Sequence, residues 1–233
     1  MANYTFGLDL GQARDYSALI VAERVQVLIG RGEDVTFDPD VRVADTYHVR
    51  GIQRWELGTP YDAVVADVAD LFQQPDMRRA QLVLDRTGVG GAVADMFTTA
   101  WQLDKLGDCR PLPVTLTAGF SQRGGAQGWG GPTAHKGDLV QRLYTLFEGG
   151  RLKLPLGLPF AEQLTKEIRA FRPKQNTRTG NLSFEAERES DHDDLVIALA
   201  LAVWWPHSRS EPRYVSPEGQ LCERPLSEGA RAR

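Results

Sequence analysis

Aspartates occur at three places where the chain is predicted to pass from one element to the next. Asp9 lies inside the apolar segment FGLDLG, and Asp85 ends the short apolar segment QLVLD. Three more, Asp191, Asp193 and Asp194, crowd the start of a long apolar run. A buried ionised carboxylate is costly unless a partner or a metal ion offsets its charge. Carboxylate oxygens are the ligands that Mg²⁺ and Mn²⁺ prefer, so the pattern predicts a divalent-metal site.

Each carboxylate also has an ordinary structural interpretation. Asp9 can cap the turn that runs through Gly11, and Asp85 can bind backbone amides where a strand turns into a helix. Acids at a helix start are favoured by about 0.3–1 kcal/mol each, so one of the three at 191–194 is expected to cap the last helix. Three carboxylates within four positions repel one another, however, and a cation would relieve that repulsion. The crowding therefore favours metal binding.

The sequence gives little support for a nucleotide site, a zinc site or a disulfide framework. The glycines of GVGG at 88–91 lack the Gly-Lys-Ser/Thr ending of a phosphate loop, so no nucleotide-cofactor residues are predicted. Cys109 and Cys222 form no CxxC pair, which argues against a zinc site or a disulfide framework and favours a reducing cytosol. His192 is interpreted as an auxiliary residue beside the acids rather than as a ligand.

Hydrophobic periodicity predicts the elements that position these acids. Residues 4–10 and 17–29 form a hairpin that a strand at 41–50 extends, and the last helix begins near Asp191. Between them we expect helices at 61–72, 91–103, 136–150 and 159–171, and strands at 81–85, 113–117, 151–154 and 182–185. The order is that of a mixed α/β fold.

Composition sets broader limits. The 233 residues, 42% of them hydrophobic, suffice for one core, which we place in residues 1–207. Residues 208–233 lack apolar periodicity and are expected to be a disordered tail. The net charge of -4 excludes a strongly basic coat but not a local basic surface. There is neither a basic leader nor an apolar run long enough to cross a bilayer, so no membrane association is expected.

Four stretches resemble the nuclease domains of the large terminase subunits of tailed phages, and together they span nearly all of the chain from residue 5 to residue 205. They are GLDLGQARDYSALIVAE (7–23), LVLDRTGVGGAVADMF (82–97), HKGDLVQRLYTLFEGGRLKLP (135–155), and the run from FRPK (171–174) through FEAERESDHDDLVIALALAVWW (184–205). The resemblance implies an RNase H-like fold, a mixed β-sheet flanked by helices. It also implies an endonuclease that cuts concatemeric viral DNA during packaging, with low sequence specificity and two Mg²⁺ or Mn²⁺ ions.

The resemblance assigns roles to individual residues. The catalytic acids map onto Asp9, Asp85 and Asp194, with Asp9 bridging the two ions. Asp194 is preferred to Asp193 because the family pattern has a histidine two positions before the essential acid, here His192. Asp193 is expected to share a metal ion. The implied products carry a 5′-phosphate and a 3′-hydroxyl.

The resemblance also implies partners. They are double-stranded DNA, a packaging ATPase domain, the small terminase subunit and the portal, in the cytoplasm of an infected or lysogenic bacterium. No Gly-x-x-x-x-Gly-Lys-Ser/Thr segment is present, so the packaging ATPase that precedes this domain in full-length terminases is missing here. The chain is expected to be either an excised domain or a separate nuclease, and the isolated domain to be monomeric. Where the family often has Lys-Arg-Asp, this sequence has Lys136-Gly137-Asp138.

Candidates for DNA contact follow from charge. Between 151 and 178 the sequence has seven basic residues against two acidic ones, so phosphate contacts are expected there and should carry no base information. The predicted DNA-contacting residues are Lys136, Arg169, Arg172 and Lys174. Asp15 is an auxiliary candidate for orienting water or, equally, an Asx-turn residue. Trp129 could stack on a base or anchor a loop.

Three alternatives are of different classes. An actin-like ATPase or sugar kinase shares the first hairpin motif, DLG at 9–11, but needs two duplicated halves. A non-catalytic RNase H-like module could bind DNA or a portal without cutting, although all three acids are retained here. A Holliday-junction resolvase shares the fold and the acids but usually requires a dimer.

Overall fold

The computed structural model describes residues 3–11, 15–29, 42–117, 127–128, 131–175, 182–186, 193–205, 214–215 and 221–222. In chain order the elements are β1 (Asn3–Asp9), β2 (Ala18–Ile29), β3 (Arg42–Arg54), α1 (Tyr61–Phe72), β4 (Gln81–Asp85), α2 (Gly90–Gln102), β5 (Leu112–Thr117), β6 (Gln127–Gly128), β7 (Gly131–His135), α3 (Lys136–Glu148), β8 (Leu152–Lys153), α4 (Ala161–Ala170), β9 (Phe171–Gln175), β10 (Leu182–Ala186), α5 (Asp194–Trp204), β11 (Tyr214–Val215) and β12 (Leu221–Cys222).

Most strands belong to one mixed sheet. β1 pairs antiparallel with β2, and β2 with β3, whereas β4, β5 and β7 follow β1 as parallel neighbours. Shorter strands extend the edges: β8 lies beside β3, β6 beside β7, and β11 and β12 beside β2. A separate hairpin is formed by β9 and β10. The carboxyl ends of β1, β4, β5 and β7 therefore lie along one edge of the main sheet.

Helices cover both faces of this sheet. One core cluster packs α1 and α2 against β1 and β4, and the other packs α3, α4 and α5 against the opposite face. Alternation along β1 explains the division, because Phe6 and Leu8 belong to the first cluster while Thr5, Gly7 and Asp9 point to the other face. Every residue of α5 from Asp194 to Val203 is buried, as its uniformly apolar sequence predicts.

The expected mixed sheet with flanking helices is confirmed, and α1 occupies the predicted range. Some strands were not predicted, among them β6 and β7, which pair antiparallel. The helix predicted over 159–171 is found at Ala161–Ala170, and the strand predicted at 182–185 is found as β10. Phe171 begins β9, which was not predicted and pairs antiparallel with β10.

The segment 208–233 was predicted to be a disordered tail. The structure places β11 and β12 within it, and β11 runs parallel to β2 through Tyr214 and Val215. The rest of that segment, like Trp129, lies outside the described residues, so the prediction stands untested there. None of the helices described is both long enough and apolar enough to cross a membrane.

Candidate metal centre

Asp9 and Asp85 end two adjacent parallel strands. Leu8 of β1 lies opposite Leu84 of β4, so the next residue on each strand is an aspartate at the same edge. Leu8 and Leu84 are fully buried against α1 and α2. Because side chains alternate along a strand, both aspartates point to the opposite face, toward α5. The register and the alternation together bring the two carboxylates side by side.

Gly7 lets α5 reach the same place. A Cβ at Gly7 would lie 2.0 Å from the carbonyl oxygen of Ala198 and 2.5 Å from the backbone nitrogen of Ala202. No side chain fits in that gap, so α5 rests directly on the backbone of β1. This contact directs the first turn of α5, with Asp194, to the end of the strand that carries Asp9.

The electrostatics of Asp9 show which groups share the site. Burial raises the pKa of Asp9 well above its ordinary value, and the negative charges of Asp85, Asp194 and Asp193 raise it further. Lys136, the first residue of α3, acts in the opposite direction and lowers the pKa of Asp9. The predicted catalytic and metal-binding acids are therefore close enough to influence one another. Lys136, predicted to bind DNA, lies beside them.

Asp85 is held by its own turn. Its Oδ1 accepts a hydrogen bond of 2.7 Å from the backbone N–H of Thr87, and its side chain is buried. The Thr87 hydroxyl in turn accepts a hydrogen bond of 3.0 Å from the N–H of Leu116 on β5. A Cβ at Gly90 would lie 2.1 Å from the Asp85 carbonyl oxygen, so glycine is required for the strand-to-helix turn. The structural role foreseen for Asp85 is thus present alongside its place in the acid cluster.

Asp194 has an ion-pair partner that sequence reasoning missed. Nη2 of Arg54, the last residue of β3, donates to Asp194 Oδ2 at 3.1 Å, and both side chains are largely buried. The guanidinium also lies 3.6 Å from the centre of the Tyr16 ring. The pair spans 140 positions in sequence, and the only available signal was a charged residue ending an otherwise half-buried strand.

The helix cap is also different from the one predicted. Asp193 is the N-cap residue of α5, but its side chain makes no capping hydrogen bond. The N–H of Leu195 instead donates to Glu167 Oε2 of α4 at 3.2 Å, and Gln163 donates to Glu167 Oε1 at 3.0 Å. Burial raises the pKa of Glu167 to about 7. The capping carboxylate thus comes from another helix, whereas Asp191 lies outside the described residues.

The donor set suits a hard divalent cation. Among the described residues, no three acidic, histidine or cysteine side chains stand in a ready-made metal-binding arrangement. The donors in reach are carboxylate oxygens, which Mg²⁺ and Mn²⁺ prefer. A cation beside Asp9 would offset the repulsion that raises its pKa. The residues present therefore fit a divalent metal ion.

The remaining predicted site residues lie farther from the acid cluster or outside the described residues. Asp15 is exposed in the turn that precedes β2, and Arg169 is exposed near the end of α4. Arg172 and Lys174 belong to β9, but their side chains lie outside the described residues, as does all of His192. The structure thus groups Asp9, Asp85, Asp193, Asp194 and Lys136 and leaves the other assignments as predictions.

Comparison with solved structures identifies the fold. The large terminase nuclease from thermophilic phage G20c has a TM-score of 0.51 and 24% identity, over 86% of this chain and 81% of that one. The same phage nuclease with bound magnesium gives 0.51 and 24%, over 86% and 80%. The manganese-soaked human cytomegalovirus terminase nuclease domain gives 0.50 and 14%, over 87% and 83%. This chain has the fold of the terminase nucleases.

At these identities the likeness concerns the fold alone. No protein-family model matches the sequence, and no curated protein is significantly similar to it. The likeness nevertheless covers most of both chains.

Proposed function

We propose that this chain is a metal-dependent endonuclease that cuts concatemeric double-stranded viral DNA during genome packaging. One observation carries the proposal: Asp9, Asp85 and Asp194, from β1, β4 and α5, converge at the carboxyl edge of the sheet. This is the edge at which open α/β sheets place their ligands. The terminase-nuclease fold supports both the reaction and its setting.

The acid cluster is the proposed holder of two Mg²⁺ or Mn²⁺ ions. Asp9, which lies centrally among the acids, would contact both, Asp85 and Asp194 one each, and Asp193 would assist. When bound, such ions supply Lewis-acid activation of water and of the phosphodiester leaving oxygen. The magnesium-bound phage nuclease and the manganese-soaked viral domain support this choice of ions.

The remaining groups of the site position the substrate and the acids. Lys136 is partly exposed beside Asp9 and is proposed to bind a phosphate oxygen of the DNA. Tyr61 donates to the carbonyl of Gly11 at 2.7 Å, and Gly11 donates to the Ser17 hydroxyl at 3.2 Å, which fixes the segment that follows Asp9. A rigid segment here limits the motion of Asp9 and so favours an ordered reaction geometry. The products would carry a 5′-phosphate and a 3′-hydroxyl.

The DNA path is proposed to follow basic residues away from this edge. Arg169 on α4 and Arg172 and Lys174 on β9 are the proposed phosphate contacts, and such contacts confer little sequence specificity. We also propose that the isolated domain is monomeric and works with a packaging ATPase, a small terminase subunit and a portal in the cytoplasm of a bacterial host. The likeness to a phage terminase nuclease supports a setting in DNA packaging.

Cleavage of supercoiled plasmid tests the proposal. Nicked and linear products should form with Mg²⁺ or Mn²⁺, and EDTA should abolish them. A four-way-junction substrate and a sizing column separate this activity from that of a dimeric junction resolvase. Absence of cleavage with either ion, at protein concentrations that bind DNA, would favour a non-catalytic DNA-binding module.

A further inference from the structure

Arg54, Ala18 and Asp9 form one row across three neighbouring strands. Ala18 of β2 lies opposite Asp9 of β1 on one side and opposite Arg54 of β3 on the other. Residues directly opposite in a sheet point to the same face, which here is the face covered by α5. The single methyl group of Ala18, fully buried, leaves room for the arginine side chain to extend toward the acid cluster.

The guanidinium at the end of this row is tightly confined. It lies on the Tyr16 ring, its Nη2 donates to Asp194 Oδ2, and the side chain is 11% exposed. Its Nε is buried and has no hydrogen-bond partner among the described residues. Leaving a buried N–H unpaired costs free energy, so this side-chain conformation does not use all the hydrogen-bond donors of Arg54. It does bring Nη2 within hydrogen-bond distance of Asp194.

The excess of negative charge in the site favours the contact between Arg54 and Asp194. Four aspartates share the site with one lysine, Lys136, and the buried Glu167 lies behind them at the start of α5. Arg54 adds a second positive charge, which acts on both Asp194 and Glu167. An arginine has a fixed pattern of donors, so it constrains both the charge and the orientation of the carboxylate that it contacts.

We infer that Arg54 is a positioning residue that orients Asp194 for metal binding. The inference rests on the proposed function, because Asp194 is one of the proposed ligands. Groups that hydrogen-bond to a metal-binding carboxylate fix its orientation, and their loss weakens metal affinity. The opposite possibility is that Arg54 is a counter-ion that a metal ion must displace. The two predict changes of opposite sign in metal affinity when Arg54 is replaced.

Direct titration with Mn²⁺ alone, with free Mn²⁺ followed by electron paramagnetic resonance, distinguishes these possibilities. Arg54→Gln should raise the Kd for Mn²⁺ by about 10–100-fold, the usual effect of losing such a partner. Arg54→Lys should raise the Kd less, because it keeps the charge but not the planar group. Arg50→Gln is the matched control: Arg50 lies on the same strand and pairs with the buried Glu23 at 2.7 Å, so its loss should leave the Kd unchanged.

Arg54→Gln that binds Mn²⁺ as tightly as the wild type, or more tightly, would overturn the inference while leaving the metal site in place. No Mn²⁺ binding by the wild-type chain at millimolar concentration would overturn both this inference and the proposed function. Circular dichroism establishes whether each variant is folded. If Arg54→Gln is unfolded, Arg54→Lys decides, since a Kd equal to that of the wild type would contradict a positioning role.

Discussion

Gly7 of β1 lies directly against the backbone of Ala198 in α5, with 2.0 Å between the position that its Cβ would occupy and the carbonyl oxygen of Ala198. The contact joins the strand that ends in Asp9 to the helix that begins with Asp194. The spacing of the two proposed ligands therefore depends on the absence of a single methyl group.

Gly7→Ala should lower the free energy of unfolding by about 1–3 kcal/mol or more, because rigid backbone must move to admit the methyl group. It should also weaken Mn²⁺ binding, since α5 moves away from β1. Urea denaturation and Mn²⁺ titration measure the two effects. Gly91→Ala is the control: a Cβ there meets nothing within 4 Å, and alanine in helix α2 should be neutral or stabilising. Unchanged stability of Gly7→Ala would show that the close contact is absent in solution.

Asp9→Asn should stabilise the metal-free protein at neutral pH. Because burial and the neighbouring acids raise the pKa of Asp9, the stability contributed by its neutral form is lost as pH rises from the ordinary aspartate pKa, about 3.9, through the raised value. Asparagine does not ionise, so the Asp9→Asn variant keeps this stability as pH rises. Thermal melts in EDTA at pH 7 should give a higher Tm for Asp9→Asn, whereas Mn²⁺ should raise the Tm of the wild type only. Asp95→Asn, exposed in the middle of α2, should change neither value.

Glu167 should make the stability of the metal-free protein depend on pH. Its pKa is about 7 in the fold against an ordinary 4.5, so its stabilising contribution is complete below pH 4.5 and is lost as pH rises through 7. Relative to Glu167→Gln, the wild type should lose up to about 3 kcal/mol over that range, at about 1.4 kcal/mol per pKa unit. Urea midpoints from pH 4.5 to 8 test this.

Glu162→Gln, exposed on the same helix, is the matched control for Glu167 and should show the wild-type pH profile. A Glu167→Gln profile parallel to that of the wild type would mean that the fold does not raise the pKa of Glu167.

Reversing three charges in the proposed DNA path should weaken DNA binding without affecting the metal site. The variant Arg169→Glu, Arg172→Glu, Lys174→Glu removes phosphate contacts, so its affinity should fall and depend less steeply on salt. Its Kd for Mn²⁺ should equal that of the wild type. The control reverses Arg78, Arg79 and Lys105, exposed residues near the amino ends of β4 and β5. Equal loss of DNA binding by both triple variants would indicate a nonspecific effect of net charge.

Sequence reasoning predicted the elements well wherever periodicity was strong. Alternation and apolar runs located β1, β4, α1 and α5, and the aspartates at their ends were noticed because buried charge needs an explanation. The register that pairs Leu8 with Leu84 was not encoded in either segment alone, so the proximity of Asp9 and Asp85 could only be inferred.

The residues that position the acids were not predictable in this way. Arg54 reaches Asp194 because three strands align it with Ala18 and Asp9, a consequence of register that no local pattern shows. Glu167 was counted as one of two acids in a basic stretch, whereas the fold buries it at the start of α5. Such contacts form between elements distant in sequence, and only the packed structure determines them.

Supercoiled-plasmid cleavage in Mn²⁺ by the Asp9→Asn, Asp85→Asn and Asp194→Asn variants shows whether these three aspartates form one metal-dependent nuclease site. Each folded variant should cleave about two orders of magnitude more slowly than the wild type or worse, because bound ions contribute several kcal/mol to transition-state stabilisation. Asp193→Asn, at a partly exposed position, should lose less activity. Cleavage at the wild-type rate by any of the three principal variants would remove that residue from the site and contradict the account.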